Sequence, residues 1–227
     1  MPRPVAVPAL AVLLLAAAAA AGPTPPPPRG PALGLGEPRR PEPFTVEQRL
    51  LDAVRRADRP TAERALAHGA PIGARDDIGR GVVLLAVLDA GDLELARWLR
   101  ARGAAVDEPD AGGRTALSFA AANGRADVVA WLLAEGAVVD RRDAQQRTAL
   151  FHAALGNHPE VVALLLPRGA DVNTRDQWRD TPLIAACAKG NAAAAAFLLA
   201  HGADAALTDQ EGRTARDRAA PGLAVCR

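Results

Sequence analysis

Four histidines, two cysteines and the acidic pair Asp76-Asp77 are the residues that could give this chain catalytic or metal chemistry. A structural or catalytic metal needs His and Cys side chains at short, fixed spacings that converge on one ion. His68, His152, His158 and His201 are scattered and have no His or Cys partner at such spacing. His68 and His201 instead precede a glycine that ends a helical segment, where a cation near a helix C-terminus explains them. Asp76-Asp77 offers two carboxylates, but neighbours in a turn do not face one another as an acid–base pair must. Gly79-Arg80-Gly81 is too short to cradle a phosphate, and no nucleophile stands beside a base. The chain therefore reads as non-enzymatic, with no catalytic residue, no cofactor and no metal. A hydrolase or metalloenzyme would require an arrangement that the sequence hides. Cys187 and Cys226 are too few for a disulfide framework, although an oxidising compartment would permit them to pair. Cys187 falls where sister segments carry Ala121 and Ala154, the place of a buried structural thiol.

Composition narrows the partners. Arg and Lys total 27 against 26 for Asp and Glu, so no strong field attracts nucleic acid or an anionic membrane. Apolar residues make up 49% of the chain, mostly Ala, Leu and Val, with 3% aromatics and no Tyr. Thin layers of small helices suit that composition better than a broad β-sandwich core.

The N-terminus has Arg3, an apolar run from Val5 to Ala21 and the small residues Ala19-Ala20-Ala21, the pattern of a secretory signal over 1–22. The run is slightly short for a membrane span. A periplasmic or secreted protein is expected, with no stable membrane insertion once the signal is cleaved; the alternative is anchoring by an uncleaved N-terminal helix. Residues 23–43 hold Pro25-Pro26-Pro27-Pro28, five further prolines and three glycines, the composition of an extended, disordered linker.

The remaining chain repeats itself. Gly-Ala recurs at Gly69, Gly103, Gly136, Gly169 and Gly202, stepping by 34 residues once and by 33 three times, and Thr115, Thr148, Thr181 and Thr214 keep the 33-residue step. Each Thr, followed by Ala or by Pro182, suits a helix N-cap. Gly91, Gly124, Asn157 and Gly190 lie eight or nine residues on, where a residue tolerant of positive φ can end that helix. Patterns such as Val-Val-x-x-Leu-Leu then give a second helix that stops at Gly-Ala. Asp110, Asp143, Asp176 and Asp209, each five residues before its Thr, suit turns built around an Asp side chain.

These tracks resemble the ankyrin-repeat family, in Asp176 to Ala186, Val161 to Leu166 and Gly169-Ala170-Asp171-Val172-Asn173. The resemblance, to an exported bacterial type, covers residues 44–227. It implies an all-α solenoid of stacked helix-turn-helix units with short β-hairpin-like loops. The repeats read as an opening repeat 44–75, full repeats 76–109, 110–142, 143–175 and 176–208, and a truncated cap 209–227. Departures from the family pattern are Leu85, Ser118, Phe151 and Ile184 in place of the usual His, Gln146 and Arg179 in place of the hairpin Gly, one residue inserted just after Gly79, and Pro167 near the end of a second helix. Local distortion is expected at Pro167.

The resemblance also implies a protein–protein interaction module that binds on the concave face lined by loop tips and first helices. The outward positions are Ala111, Gly112 and Arg114; Ala144, Gln145 and Arg147; Gln177, Trp178 and Asp180; and Gln210, Glu211 and Arg213. On the first helices they are Asp89, Phe119, Asn123, His152, Leu155 and Lys189. Trp178, a large aromatic on a polar loop, is either an interface anchor or packed against a neighbouring tip. Arg114, Arg147 and Arg213 repeat on the tips, which suits a partner with acidic groups or simply a solvated edge. Trp98 and Trp131 share a stripe with Leu164 and Phe197 and belong to the core between repeats. The partner is an unidentified protein, the chain a monomer. The alternative is an accessory or stabilising factor for an exported enzyme.

Overall fold

The computed structural model describes residues 44–226. The expected signal (1–22), the linker (23–43) and Arg227 lie outside them.

Ten helices form five hairpins, followed by one short helix. The pairs are α1 (Val46–Arg55) with α2 (Arg59–Ala67), α3 (Val82–Leu88) with α4 (Leu93–Ala101), and α5 (Ala116–Ala122) with α6 (Ala126–Ala134). Next come α7 (Ala149–Leu155) with α8 (Pro159–Leu165), α9 (Pro182–Lys189) with α10 (Ala192–Ala200), and then α11 (Ala215–Arg218). First helices stack on first helices from α1 through α11, and second helices likewise from α6 through α10. Each hairpin is too thin to bury its own apolar face, so the core lies between layers. Leu99, Leu132, Leu165 and Leu198 hold one position of the second helices, and Leu117, Leu150 and Leu183 one position of the first. All seven are removed from water almost completely. Trp98 and Trp131 are buried as the sequence implied, with Leu164 and Phe197 half-buried beside the core.

The local signals act as expected. The hydroxyls of Thr115, Thr148, Thr181 and Thr214 accept from the backbone N–H three residues on, capping α5, α7, α9 and α11. Gly91, Gly124, Asn157 and Gly190 follow the first helices at φ between 60° and 77°. Pro167 has the foreseen effect: α8 stops at Leu165, and Leu166–Arg168 continue as a single 3-10 turn, because Pro167 cannot donate to the helical ladder. Among the described residues there is no strand, only isolated antiparallel bridges Arg75–Gly81 and Thr208–Thr214.

Two sequence readings are corrected. The extra residue of the first full repeat is not after Gly79. Gly81 caps α3 five residues after Asp76, as Thr115 does after Asp110, and the added length appears at Asp89-Ala90, between α3 and α4. A turn absorbs an extra residue without disturbing helix register, whereas a helix does not. The departure from the family His is therefore Leu84, the residue matching Ser118, rather than Leu85. Cys187, read as a buried structural thiol with its pairing left open, is buried and disulfide-bonded to Cys226. The 3-10 turn Ala224–Cys226 brings the tail back over α9, with a Cα–Cα separation of 6.1 Å, and Ala220 N–H donates to the carbonyl of Cys187 at 3.0 Å.

Candidate partner-binding face

Five aspartates build the tips. In each turn, one carboxylate oxygen of Asp76, Asp110, Asp143, Asp176 or Asp209 accepts the backbone N–H groups two and four residues on, at 2.8–3.1 Å. A backbone bond from each Asp N–H to the carbonyl four residues on closes the turn at 2.8–3.1 Å. The sequence predicted Asp-centred turns at four of these positions, and Asp76 adds a fifth.

The tips join one to the next through the main chain. Ala111 donates to Ile78, Ala144 to Gly112, Gln177 to Gln145 and Gln210 to Trp178, at 2.8–3.1 Å. Side chains reinforce the ladder, since Arg75 reaches the Pro109 carbonyl and Arg142 that of Arg175, at 2.9 and 2.8 Å.

The second oxygen of four of the five aspartates takes an arginine, and that of Asp143 a histidine. Asp76 receives Arg55 and Arg80; Asp110 receives Arg114; Asp209 receives Arg213 and Arg218. Asp143 is bound by His152 Nε2 at 2.8 Å, so Arg147 crosses to Asp176 of the next repeat at 3.2 Å. Burial pulls His152 below its ordinary value of 6.5, and the nearby Arg147 and Arg114 act in the same direction; the bond and the charge of Asp143 oppose this without reversing it. At Asp209 removal from water raises the pKa, but the N–H of Arg213 and the guanidinium groups of Arg218 and Arg213 outweigh it and hold the carboxyl well below the usual range. Asp180 goes the other way, raised first by burial and also by Asp176, Asp209 and Glu211, although Arg218 at 3.4 Å counters them.

The sequence-predicted residues fall into distinct settings. Arg114 lies over the Phe119 ring at 4.3 Å, and Phe119 and Asn123 line one small cleft of about 260 Å³ between α3 and α5. Arg147 lies over two rings, Phe151 at 4.9 Å and Trp178 at 5.1 Å. Gln145 and Gln177 meet through the backbone ladder, and Trp178 is 39% exposed. His152 is turned into the stack. Leu155 is half-buried, its carbonyl accepting from Asn191 at 2.9 Å. Lys189 and Arg213 are exposed, Arg213 also meeting Glu211, and Asp180 is half-buried against Arg218. Sequence reasoning did not single out Phe151, four residues after Arg147, or Arg218, which reaches Asp180 from 38 residues away, as partners of these charges. Arg179 was visible only as a departure from glycine.

Among the described residues no group of three or more His, Cys, Asp or Glu could hold a metal ion, and no helix is long and apolar enough to cross a membrane. Compared with curated proteins, the chain finds no match. Two family models do match: one described as ankyrin repeats in three copies, over residues 83–176, and one described as ankyrin repeats in many copies, over residues 165–219. Stacked helix hairpins, Asp-centred tips and these two matches, which together span more than half of the sequence, lead to one conclusion: the chain belongs to the ankyrin-repeat family.

Proposed function

We propose that this protein is a non-enzymatic binding module that holds a protein partner on the concave face formed by its loop tips and first helices. One observation carries the reading: an Asp-pinned, hydrogen-bonded row of tips leaves Trp178, 39% exposed, on a rigid polar edge. Rigid scaffolds presenting exposed aromatics lose little freedom on binding, and such aromatics anchor interfaces. Arg114, Phe119, Asn123, Gln145, Arg147, Gln177, Lys189 and Arg213 extend that edge, with His152, Leu155 and Asp180 supporting it from below.

The protein works outside the cytoplasm. The signal-like residues 1–22 and the proline-rich spacer support this, and the Cys187–Cys226 disulfide fits an oxidising compartment. Capture from the extracytoplasmic fraction, with the native protein and the Trp178→Ala and Asn123→Ala variants as bait, tests both statements. Loss of a captured protein with either variant is expected. Identical recovery with all three baits sinks the proposed face, and a protein found only in the cytoplasm sinks the location.

A further inference from the structure

The tip Gln177–Trp178–Arg179 breaks a local rule. Position 179 is left-handed in every tip, and three sister tips place glycine there, as Gly79, Gly113 and Gly212. Arg179 instead carries a long charged side chain at φ 62°, a conformation that costs a residue with a Cβ roughly 1 kcal/mol or more. It is exposed, and its guanidinium has no acceptor among the described residues. The strain therefore gains the fold nothing visible. Next to it Trp178 is exposed, and behind that ring Arg147 keeps only its Nε on Asp176, leaving both terminal nitrogens without acceptors among the described residues.

The turn aspartates Asp110, Asp143, Asp176 and Asp209 are all buried, whereas Arg114, Arg179 and Arg213 reach water beside them; Arg213 is paired with the exposed Glu211, but Arg179 has no such acidic partner among the described residues. An approaching chain meets guanidinium forks first. Carboxylates match those forks, and a ring flanked by arginine offers an apolar floor to the side chains between them.

We propose that the Trp178–Arg179 tip, with Arg147 behind it, docks an acidic peptide segment of the partner, its Asp or Glu carboxylates on Arg179 and Arg147 and an apolar side chain on Trp178. This rests on the tips being the binding face and names the chemistry that they take.

The probe is a short fluorescein-labelled peptide of glutamate and leucine, titrated by anisotropy against the full chain, with a matched peptide of glutamine and leucine as control. The glutamate peptide should bind more tightly and weaken as salt rises. Trp178→Ala should weaken it about tenfold or more. Arg179→Gly, which installs the residue of the sister tips, should raise the melting temperature and yet weaken binding roughly three- to tenfold. A folded Arg179→Gly protein that binds the glutamate peptide as before overturns the proposal, as does failure of that peptide to bind. Equal affinity for both peptides, lost in Trp178→Ala, overturns the acidic class and leaves the tips as the docking face. Glutamate-peptide binding indifferent to both substitutions overturns the docking face as well.

Discussion

Arg147 of one repeat donates its Nε to Asp176 of the next, 3.2 Å away, although Asp143 lies four residues before it in its own turn. The histidine explains the crossing: His152 occupies the free oxygen of Asp143, and the guanidinium takes the next carboxylate along the stack. A bond that elsewhere stays inside a turn, as in Arg114 with Asp110, here ties two repeats together.

Removing Arg147 should therefore weaken an interface between repeats. Asp176 keeps two backbone donors but loses its counterion while its side chain stays buried. Arg147→Met is expected to lower stability by about 2–3 kcal/mol in urea unfolding, with Arg147→Lys losing less.

His152 makes stability depend on mild acid. Its folded pKa lies below the ordinary 6.5, so the unfolded chain binds the proton more readily. The contribution is fully present above pH 6.5 and is lost as pH falls through the lower, folded value. Melting temperatures should decline across that window in the native protein and much less in His152→Gln, whose amide can still donate to Asp143. Asp209, held low in the folded state, adds a second loss at pH below the ordinary carboxylate value of 3.8.

Gln146 occupies the left-handed turn position at φ 64°. Gln146→Gly should raise stability by about 0.5–1 kcal/mol in thermal melts. Gly113→Ala should lower it by roughly 1–2 kcal/mol, because a Cβ there meets Ala144 N and Asp143 Cα at 3.1 Å in addition to the strained φ of 75°.

Cutting the Cys187–Cys226 bridge frees the tail that covers the last hairpin. A serine pair at these positions is expected to cost roughly 2–4 kcal/mol. Hydrogen exchange should show the loss in α9, α11 and the tail first, since each layer contacts only its neighbours.

The architecture was legible because stacking identical units requires the same residue at the same place in each. Thr148 must cap, Leu132 must fill the gap between layers, and Asp143 must hold its turn, so each leaves a 33-residue track. The inserted residue was placed wrongly because Gly81 lacks the Thr that marks the start of the first helix elsewhere. Its true place shows only in the backbone, where Asp89-Ala90 lengthen a turn. The candidate face was half legible: Trp178 on a polar loop announced itself, whereas His152, assigned to the surface, turned inward to Asp143.

Sequence alone thus determined the helices, the tips and their order, because propensity, capping and apolar period act over a few residues and repeat in register. Tertiary structure decided which charge meets which. Arg147 and Arg114 each stand four residues after a turn aspartate and just before a capping Thr, yet one bridges repeats and the other does not. The difference arises from whether a side chain nine residues on, His152 or Phe119, can reach the aspartate. It also decided that Cys187 is bonded, since only the returning tail brings Cys226 within reach.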